Sequence, residues 1–434
     1  MPDPDIHSHV MPADLSGWLS YLEQLHPKPI ALGLDRVGRV ARRLGLDPQF
    51  PLVTVAGTNG KGSTCAMLER IYLEAGYHVA CYTSPHLLRY NERVRIDGIE
   101  STDGELCRAF EAVEHARQDT LLTYFEFGTL AAMWLFIESD VQVAILEVGL
   151  GGRLDAVNVF EPACAVLTSV DLDHLDYLGT NRESIGREKA GIYRPGIPAI
   201  CGDFLPPDTV IGRVIDIGAD YRQIGRDFHF ERQGGGWDFV SGERRISGLP
   251  MPALSGEFQL QNASCTLEAV QALQSILPVT DEAIRAGLRH VALQGRFQIL
   301  PGAPTIILDV AHNPHAAKGL AENLRKSPHG GKTLAVFAML ADKDISGVVK
   351  ELADEIDAWF VADIREARGA SADVLAKHLK SAAPSATVLC HDDVASAFRQ
   401  ACMSAGENDR IAAFGSFYTV ADVLRVLPTV RPAS

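Results

Sequence analysis

Short, almost unbroken apolar runs alternate along this chain with stretches whose apolar residues recur at helical spacing. Residues 51–55, 79–82, 141–148 and 163–169 have the composition of strands buried on both faces. Between them, segments such as 104–116 read as amphipathic helices. This alternation predicts an α/β fold with a mainly parallel sheet flanked by helices, and it places function at the carboxyl ends of the strands. Residues 226–248 break the rhythm. Gly234-Gly235-Gly236 and the alternating residues around Trp237 predict a small antiparallel meander at the edge of the first domain. Residues 261–277 return to a helical pattern. After a turn at 301–304, a second series of strands is predicted at 305–310, 333–340, 358–362, 387–390 and 411–414. The expected architecture is a phosphate-loop domain over 1–296 followed by a smaller, Rossmann-like α/β domain over 297–434.

Directly after the first strand the chain reads Ala56-Gly57-Thr58-Asn59-Gly60-Lys61-Gly62-Ser63-Thr64. Gly57, Gly60 and Gly62 let the backbone bend around an anion, and the following apolar periodicity through Gly76 predicts a helix. Loop amides, helix N-terminus and Lys61 then direct positive charge to one place, which suits nucleotide phosphates. Ser63 or Thr64 offers a hydroxyl to an accompanying Mg2+. The spacing departs from G-x-x-x-x-G-K-[ST], because Gly62 separates Lys61 from Ser63 and Gly57 lies only three residues before Gly60. A glycine turn that binds nothing is the alternative, and the strand–loop–helix order argues against it.

Composition narrows the function class. The 434 residues are 47% hydrophobic with a formal charge of −15, which suits a soluble protein and disfavours nonspecific nucleic-acid binding. The eight cysteines form no C-x-x-C pair, so buried free thiols in a reducing compartment are expected. Residues 1–10 lack the pattern of a secretory signal, and the apolar run 129–137 is too short to span a bilayer. A cytoplasmic location follows as the expectation.

Chemistry-bearing residues gather at predicted strand ends. Glu147 closes an otherwise apolar strand, where a carboxylate is costly unless paired or bound to a cation; a metal ligand is the sharper reading and a structural ion pair the other. Gly149, Gly151 and Gly152 suggest another close backbone approach. Asp171, Asp173 and His174 cluster after the fourth strand. Ser84, in Ser84-Pro85-His86, either ligates Mg2+ or caps a turn, and spacing leaves both open. Lys189 reads as a solvated helix lysine. In the second domain Asp309 and His312 sit where a strand meets a loop, with Asn313 placed to cap the next helix, and Gly415-Ser416 ends the last strand in the same way.

Together these motifs resemble the folylpolyglutamate synthase and dihydrofolate synthase family of the Mur ligase superfamily. The carriers run in order along nearly the whole chain: residues 57–63, 84–87, 91–95, 123–130, 146–156, 172–174, 187–191, 295–298, 309–314 and 414–417. The extra Gly62 is typical of that family. The resemblance implies an ATP-dependent ligase. A folate-type carboxylate takes the γ-phosphoryl group of ATP, and the amine of L-glutamate displaces phosphate from the acyl phosphate. Dihydropteroate and reduced folates are the implied acceptors. By the same resemblance, Gly57, Thr58, Asn59, Gly60, Lys61, Gly62, Ser63, Asn262, Arg296, Asp309 and His312 hold ATP. Ser84 and Glu147 ligate one Mg2+ and His174 belongs to a second site. Lys189 matches the lysine that carries CO2 as a carbamate and so becomes a metal ligand. Thr123, Tyr124, Phe125, Glu126, Leu154, Asp155 and Ala156 line the pterin site, with Ile30, Ala31, Leu32 and Gly33 closing over it. Gln294 replaces a common proline before Gly295, and Ala31 stands where some bifunctional members carry an acid.

A folylpolyglutamate synthase without dihydropteroate activity is the nearest alternative. A Mur-type amino-acid ligase is another, disfavoured because only about 50 residues precede the glycine turn. A nucleotide switch that forms no bond is the alternative from another class, and the many carboxylate and metal-type positions favour catalysis over it. Small-molecule partners, no nucleic acid, no membrane and a monomer are expected.

Overall fold

The computed structural model describes residues 11–28, 30–256, 258–327 and 329–430. The expectation about residues 1–10 lies outside them. The first domain is built on an eight-stranded sheet with β1 (Leu52–Ala56), β2 (Val79–Tyr82), β3 (Val94–Ile96), β4 (Ile99–Glu100), β5 (Val143–Glu147), β6 (Cys164–Leu167), β7 (Pro198–Cys201) and β8 (Asp220–Gln223). Its order is β4-β3-β2-β5-β1-β6-β7-β8; β2 through β8 pair in parallel, and β3 and β4 add an antiparallel edge. β1 lies between β5 and β6, so the chain leaves β1 toward one side of the sheet and β5 toward the other. Loops that part in opposite directions open a crevice at the carboxyl ends of these three strands.

Alternation explains why the strands read as continuous apolar runs. Leu52, Ala144, Leu146, Ala165 and Leu167 face one core, packed by the helices Leu15–Leu25, Asp35–Leu44, Asp103–Arg117 and Tyr124–Glu138. Val53, Val55, Val143, Ile145, Cys164 and Val166 face the other, under the helices Lys61–Glu74, Gln259–Ala272 and Asp281–His290. The apolar run 129–137 falls within Tyr124–Glu138, a helix buried around most of its circumference. No helix among the described residues is long and apolar enough to cross a membrane.

The meander is present as β9 (Phe228–Gln233), β10 (Gly236–Ser241) and β11 (Arg244–Pro250), an antiparallel sheet against the second of these cores. The smaller domain carries β12 (Gln298–Leu300), β13 (Thr305–Leu308), β14 (Thr333–Phe337), β15 (Ala358–Ala362), β16 (Thr387–His391) and β17 (Arg410–Phe414) in the order β12-β13-β17-β14-β15-β16. All pairs are parallel except the β12–β13 edge. The fold class expected from the sequence is therefore the observed one. The cysteine expectation holds in part: all eight are free, but only five are buried, Cys107 and Cys402 being half-buried and Cys390 exposed near the end of edge strand β16.

Candidate functional site

The glycine turn follows β1 as expected, but its glycines are not equivalent. Gly57 and Gly60 have φ of +152° and +88°. A Cβ on Gly57 would meet Thr168 Oγ1 at 1.9 Å, and one on Gly60 would meet Asn262 Oδ1 at 2.4 Å. Gly62 corrects the sequence reading. It lies in the first turn of the helix Lys61–Glu74, and a Cβ there would reach only the Arg296 and Leu293 side chains at 3.6 Å. The turn is held by the end of β6: Thr58 N–H donates to Ser169 O (2.8 Å), Thr168 Oγ1 to Asn59 O (2.6 Å) and Asn59 N–H to Ser169 Oγ (3.1 Å).

Two ammonium groups converge on one carbonyl. Lys61 Nζ donates to Gly57 O at 3.0 Å and Lys189 Nζ to the same oxygen at 2.9 Å. Lys189 is 5% exposed, which overturns its reading as a solvated helix residue. It ends the helix Arg182–Lys189 and points under the glycine turn. Burial first, and the neighbouring Lys61 charge second, push its amine down to about 7. Glu147 is likewise buried and accepts the Ser84 amide at 3.0 Å. It has no ion-pair partner among the described residues. Burial raises its pKa, while the Lys61 charge and the Ser84 hydrogen bond oppose that rise. Between Ser63 and Thr64, Ser63 faces a cavity, whereas Thr64 Oγ1 is buried without a partner.

His174, in a left-handed conformation (φ +52°), stands beside Asp173. Burial first lowers its pKa to about 4, aided by the Lys343, Lys61 and His312 charges, so the ring is neutral at pH 7. Asp173 reaches across to the second domain, pairing with Lys343 Nζ at 2.5 Å and lying 3.5 Å from His312 Nε2. Burial would raise its carboxyl; the His312 hydrogen bond and the surrounding charges outweigh that and hold it well below the usual range. A second bridge joins Asn59 and Asn313, whose side-chain amides exchange hydrogen bonds at 3.2 and 3.3 Å. Asn313 also caps the helix Pro314–Lys326 through Ala316 N–H, as its position suggested.

Gly60, Ser63, Asn262, Arg296, Asp309 and His312 line one inter-domain cavity of ≈ 100 Å³. Arg296 lies 5.3 Å over the Phe417 ring, and Asp309 accepts Phe297 N–H and Ala311 N–H. A larger cavity of ≈ 580 Å³ runs from Lys61, Ser84, Glu147, His174 and Lys189 to Ile30, Ala31, Leu32, Thr123, Phe125, Glu126, Leu154, Asp155 and Ala156. Two expected residues lie off its wall. Tyr124 packs instead against Tyr90 and Arg93. Gly33 donates its amide to Leu154 O at 3.2 Å, tying the 30–33 loop to the opposite segment. Thr123 and Glu126 form a capping box, and Arg36 donates to both Glu126 and Ala31 O, fastening that loop. Asp155 accepts Leu150 N–H and Val157 N–H; burial raises its pKa to about 7 against those bonds.

Sequence reasoning missed Arg36, Arg93, Lys343, Arg368 and Arg425. All but Arg36 line the larger cavity. Lys343 could have been found by the rule that located the other sites, because it follows the carboxyl end of β14. Among the described residues no three His, Cys, Asp or Glu side chains form a ready ion cage.

Residues 55–195 match the Mur ligase middle domain, and residues 295–417 match the Mur ligase glutamate ligase domain. A dihydrofolate synthase/folylpolyglutamate synthase of Escherichia coli K12 is 46% identical over 96% of both chains. Its counterpart in Haemophilus influenzae Rd is 41% identical over 95% of this chain and 97% of its own. Among solved structures, E. coli FolC in complex with DHPP and ADP superposes with a TM-score of 0.91 at 45% identity, covering 96% of this chain and 98% of that one. A bifunctional folylpolyglutamate synthase/dihydrofolate synthase with Mn, AMPPNP and L-glutamate bound gives 0.89 at 47% identity, covering 96% and 98%.

Proposed function

This chain belongs to the dihydrofolate synthase/folylpolyglutamate synthase family of Mur ligases, and from that premise we propose how its residues divide the work. The protein is an ATP-dependent ligase that joins L-glutamate to dihydropteroate and to reduced folates. The observation that carries the residue assignment is the convergence of Lys61 and Lys189 on Gly57 O in the wall of the long cavity. Lys61, the turn amides and the helix N-terminus hold the ATP phosphates, and Asn262, Arg296, Asp309 and His312 hold the rest of the nucleotide from the cavity between the domains. The acceptor lies along the 30–32, 123–126 and 154–156 walls with its carboxylate toward the turn.

A carboxylate attacking phosphorus brings two anions together, so the site must neutralise charge before the bond can form. Lys61 supplies one fixed cation. Glu147, Ser84, His174 and Lys189 supply donors for divalent metal, and a buried carboxylate without a cation partner fits a hard ion. When bound, the ion offsets the phosphoryl charge. We assign it as Mg2+ and propose two ions. Lys189 fits the second through a carbamate: its neutral amine adds to CO2, forming an N–C bond and releasing one proton. A buried amine with no carboxylate in ion-pairing distance among the described residues supports this. The division into 1–296 and 297–434, a monomeric state and a cytoplasmic location complete the reading.

Phosphate release from Mg-ATP and L-glutamate tests it. Stimulation by both dihydropteroate and tetrahydrofolate is expected. Stimulation by tetrahydrofolate alone would leave the narrower synthase, and release indifferent to both would defeat the reading.

A further inference from the structure

Among the cations on the long cavity that the ATP and metal assignments do not use, Arg93 stands apart. Lys343 pairs with Asp173, Arg368 with Asp342 and Arg425 with Asp422. Lys61 and Lys189 donate to Gly57 O, and Arg296 lies over Phe417. Arg93 has no carboxylate partner among the described residues. Its guanidinium is held by other means. Nε donates to His86 Nδ1 at 2.8 Å, and the group lies 5.3 Å from the Tyr90 centroid and 5.5 Å from that of Tyr124. His86 accepts through Nδ1, so its ring is neutral and adds no charge of its own. Both Arg93 and His86 line the cavity, and His86 is two residues from Ser84, whose amide holds Glu147.

This arrangement suits a charge that must stand without a counter-ion in one reaction and meet one in the other. Dihydropteroate has a single carboxylate, and that is the group activated. A folate that already carries glutamate has two: the side-chain carboxylate that reacts and an α-carboxylate that does not. We propose that Arg93 is the receptor for this unreacting α-carboxylate and so sets the preference between the two acceptor classes. The two Nη groups, which no carboxylate engages among the described residues, offer a planar fork that matches a carboxylate. Aromatic faces and a neutral imidazole keep the fork oriented when no carboxylate is present, so the site need not collapse when dihydropteroate is bound. The proposal rests on the acceptor reading above.

The test uses the full-length chain carrying Arg93→Gln, with Arg93→Lys as the conservative variant. kcat and KM are measured for tetrahydrofolate, dihydropteroate and L-glutamate. The expected result is a fall of about tenfold or more in the ratio of kcat/KM for tetrahydrofolate over that for dihydropteroate, with partial recovery in Arg93→Lys. Tetrahydrofolate blocked as its α-amide should give wild-type protein the same defect and show little further loss in the variant. An unchanged ratio, whether both acceptors suffer equally or neither does, overturns the proposal. A raised KM for L-glutamate with both acceptors would place Arg93 on the incoming amino acid and also overturn it. Wild-type turnover with neither acceptor would strike the function reading itself and this proposal with it.

Discussion

At the carboxyl end of β1, Gly57 and Gly60 hold positive φ and two lysines crowd one carbonyl beside a buried carboxylate. At the carboxyl end of β13, in the other domain, the polar groups are already committed locally. Asp309 accepts two backbone amides, Asn313 caps a helix, and Ser416 and Thr419 bond each other at the neighbouring end of β17. The two ends face one cleft on similar sheets. The first keeps buried charge uncompensated, which disfavours the folded state but leaves groups free to act on a ligand. The second is satisfied internally, so it shapes the cleft.

The comparison breaks if the first end can be neutralised without consequence. Lys61→Ala should lower kcat by roughly 10²–10³ with an unchanged melting temperature; ordinary turnover would show that ATP is handled elsewhere. Lys189→Ala should lose on the order of 10–100-fold in turnover and recover part of it with a short carboxylic acid. Lys189 also gives the contrast a thermodynamic sign. Its amine falls from the ordinary 10.5 to about 7 in the folded chain. Between those values the unfolded state binds more protons, so in metal-free, CO2-free buffer stability should rise with pH across that window, with the full penalty present below it. Lys189→Met should flatten this rise and raise the melting temperature at neutral pH. A melt whose pH slope is the same in both proteins would contradict the assignment.

Smaller effects sharpen the role of the second end. Asn313→Ala removes a helix cap, worth about 1 kcal/mol, and the bridge to Asn59. A lower melting temperature and a several-fold rise in the KM for ATP, with kcat little changed, are expected; a loss of kcat comparable to Lys61→Ala would erase the distinction between the ends. The least effect belongs to Gly62→Ala. This glycine is helical and has room for a Cβ, so stability should stay level or gain up to about 1 kcal/mol. Strong destabilisation would mean that Gly62 needs its missing side chain as much as Gly57 does.

Much of this was readable along the chain. Each strand of the two parallel sheets named from the sequence is present, displaced at its ends by at most a few residues, because most of them are short apolar runs buried on both faces and bounded by turns, whereas the apolar run 129–137 belongs to the longer buried helix Tyr124–Glu138. The glycine turn was readable because strand, turn and helix are contiguous. Lys189 was misjudged from spacing alone, since nothing in Arg187-Glu188-Lys189 reveals that the last side chain points under a loop more than 120 residues earlier. Arg93 sat in a recognised motif without a role, because its lack of a carboxylate partner is a fact about neighbours in space.

Local order along the chain determined the two α/β domains, the glycine turn and the carboxylate at the end of β5, for these depend on periodicity and on residues adjacent in sequence. Tertiary structure alone decided which charges are paired and which are not. Desolvation and ion pairing depend on distances between β1, the helix Arg182–Lys189 and the facing domain, and no spacing along a single chain encodes those distances.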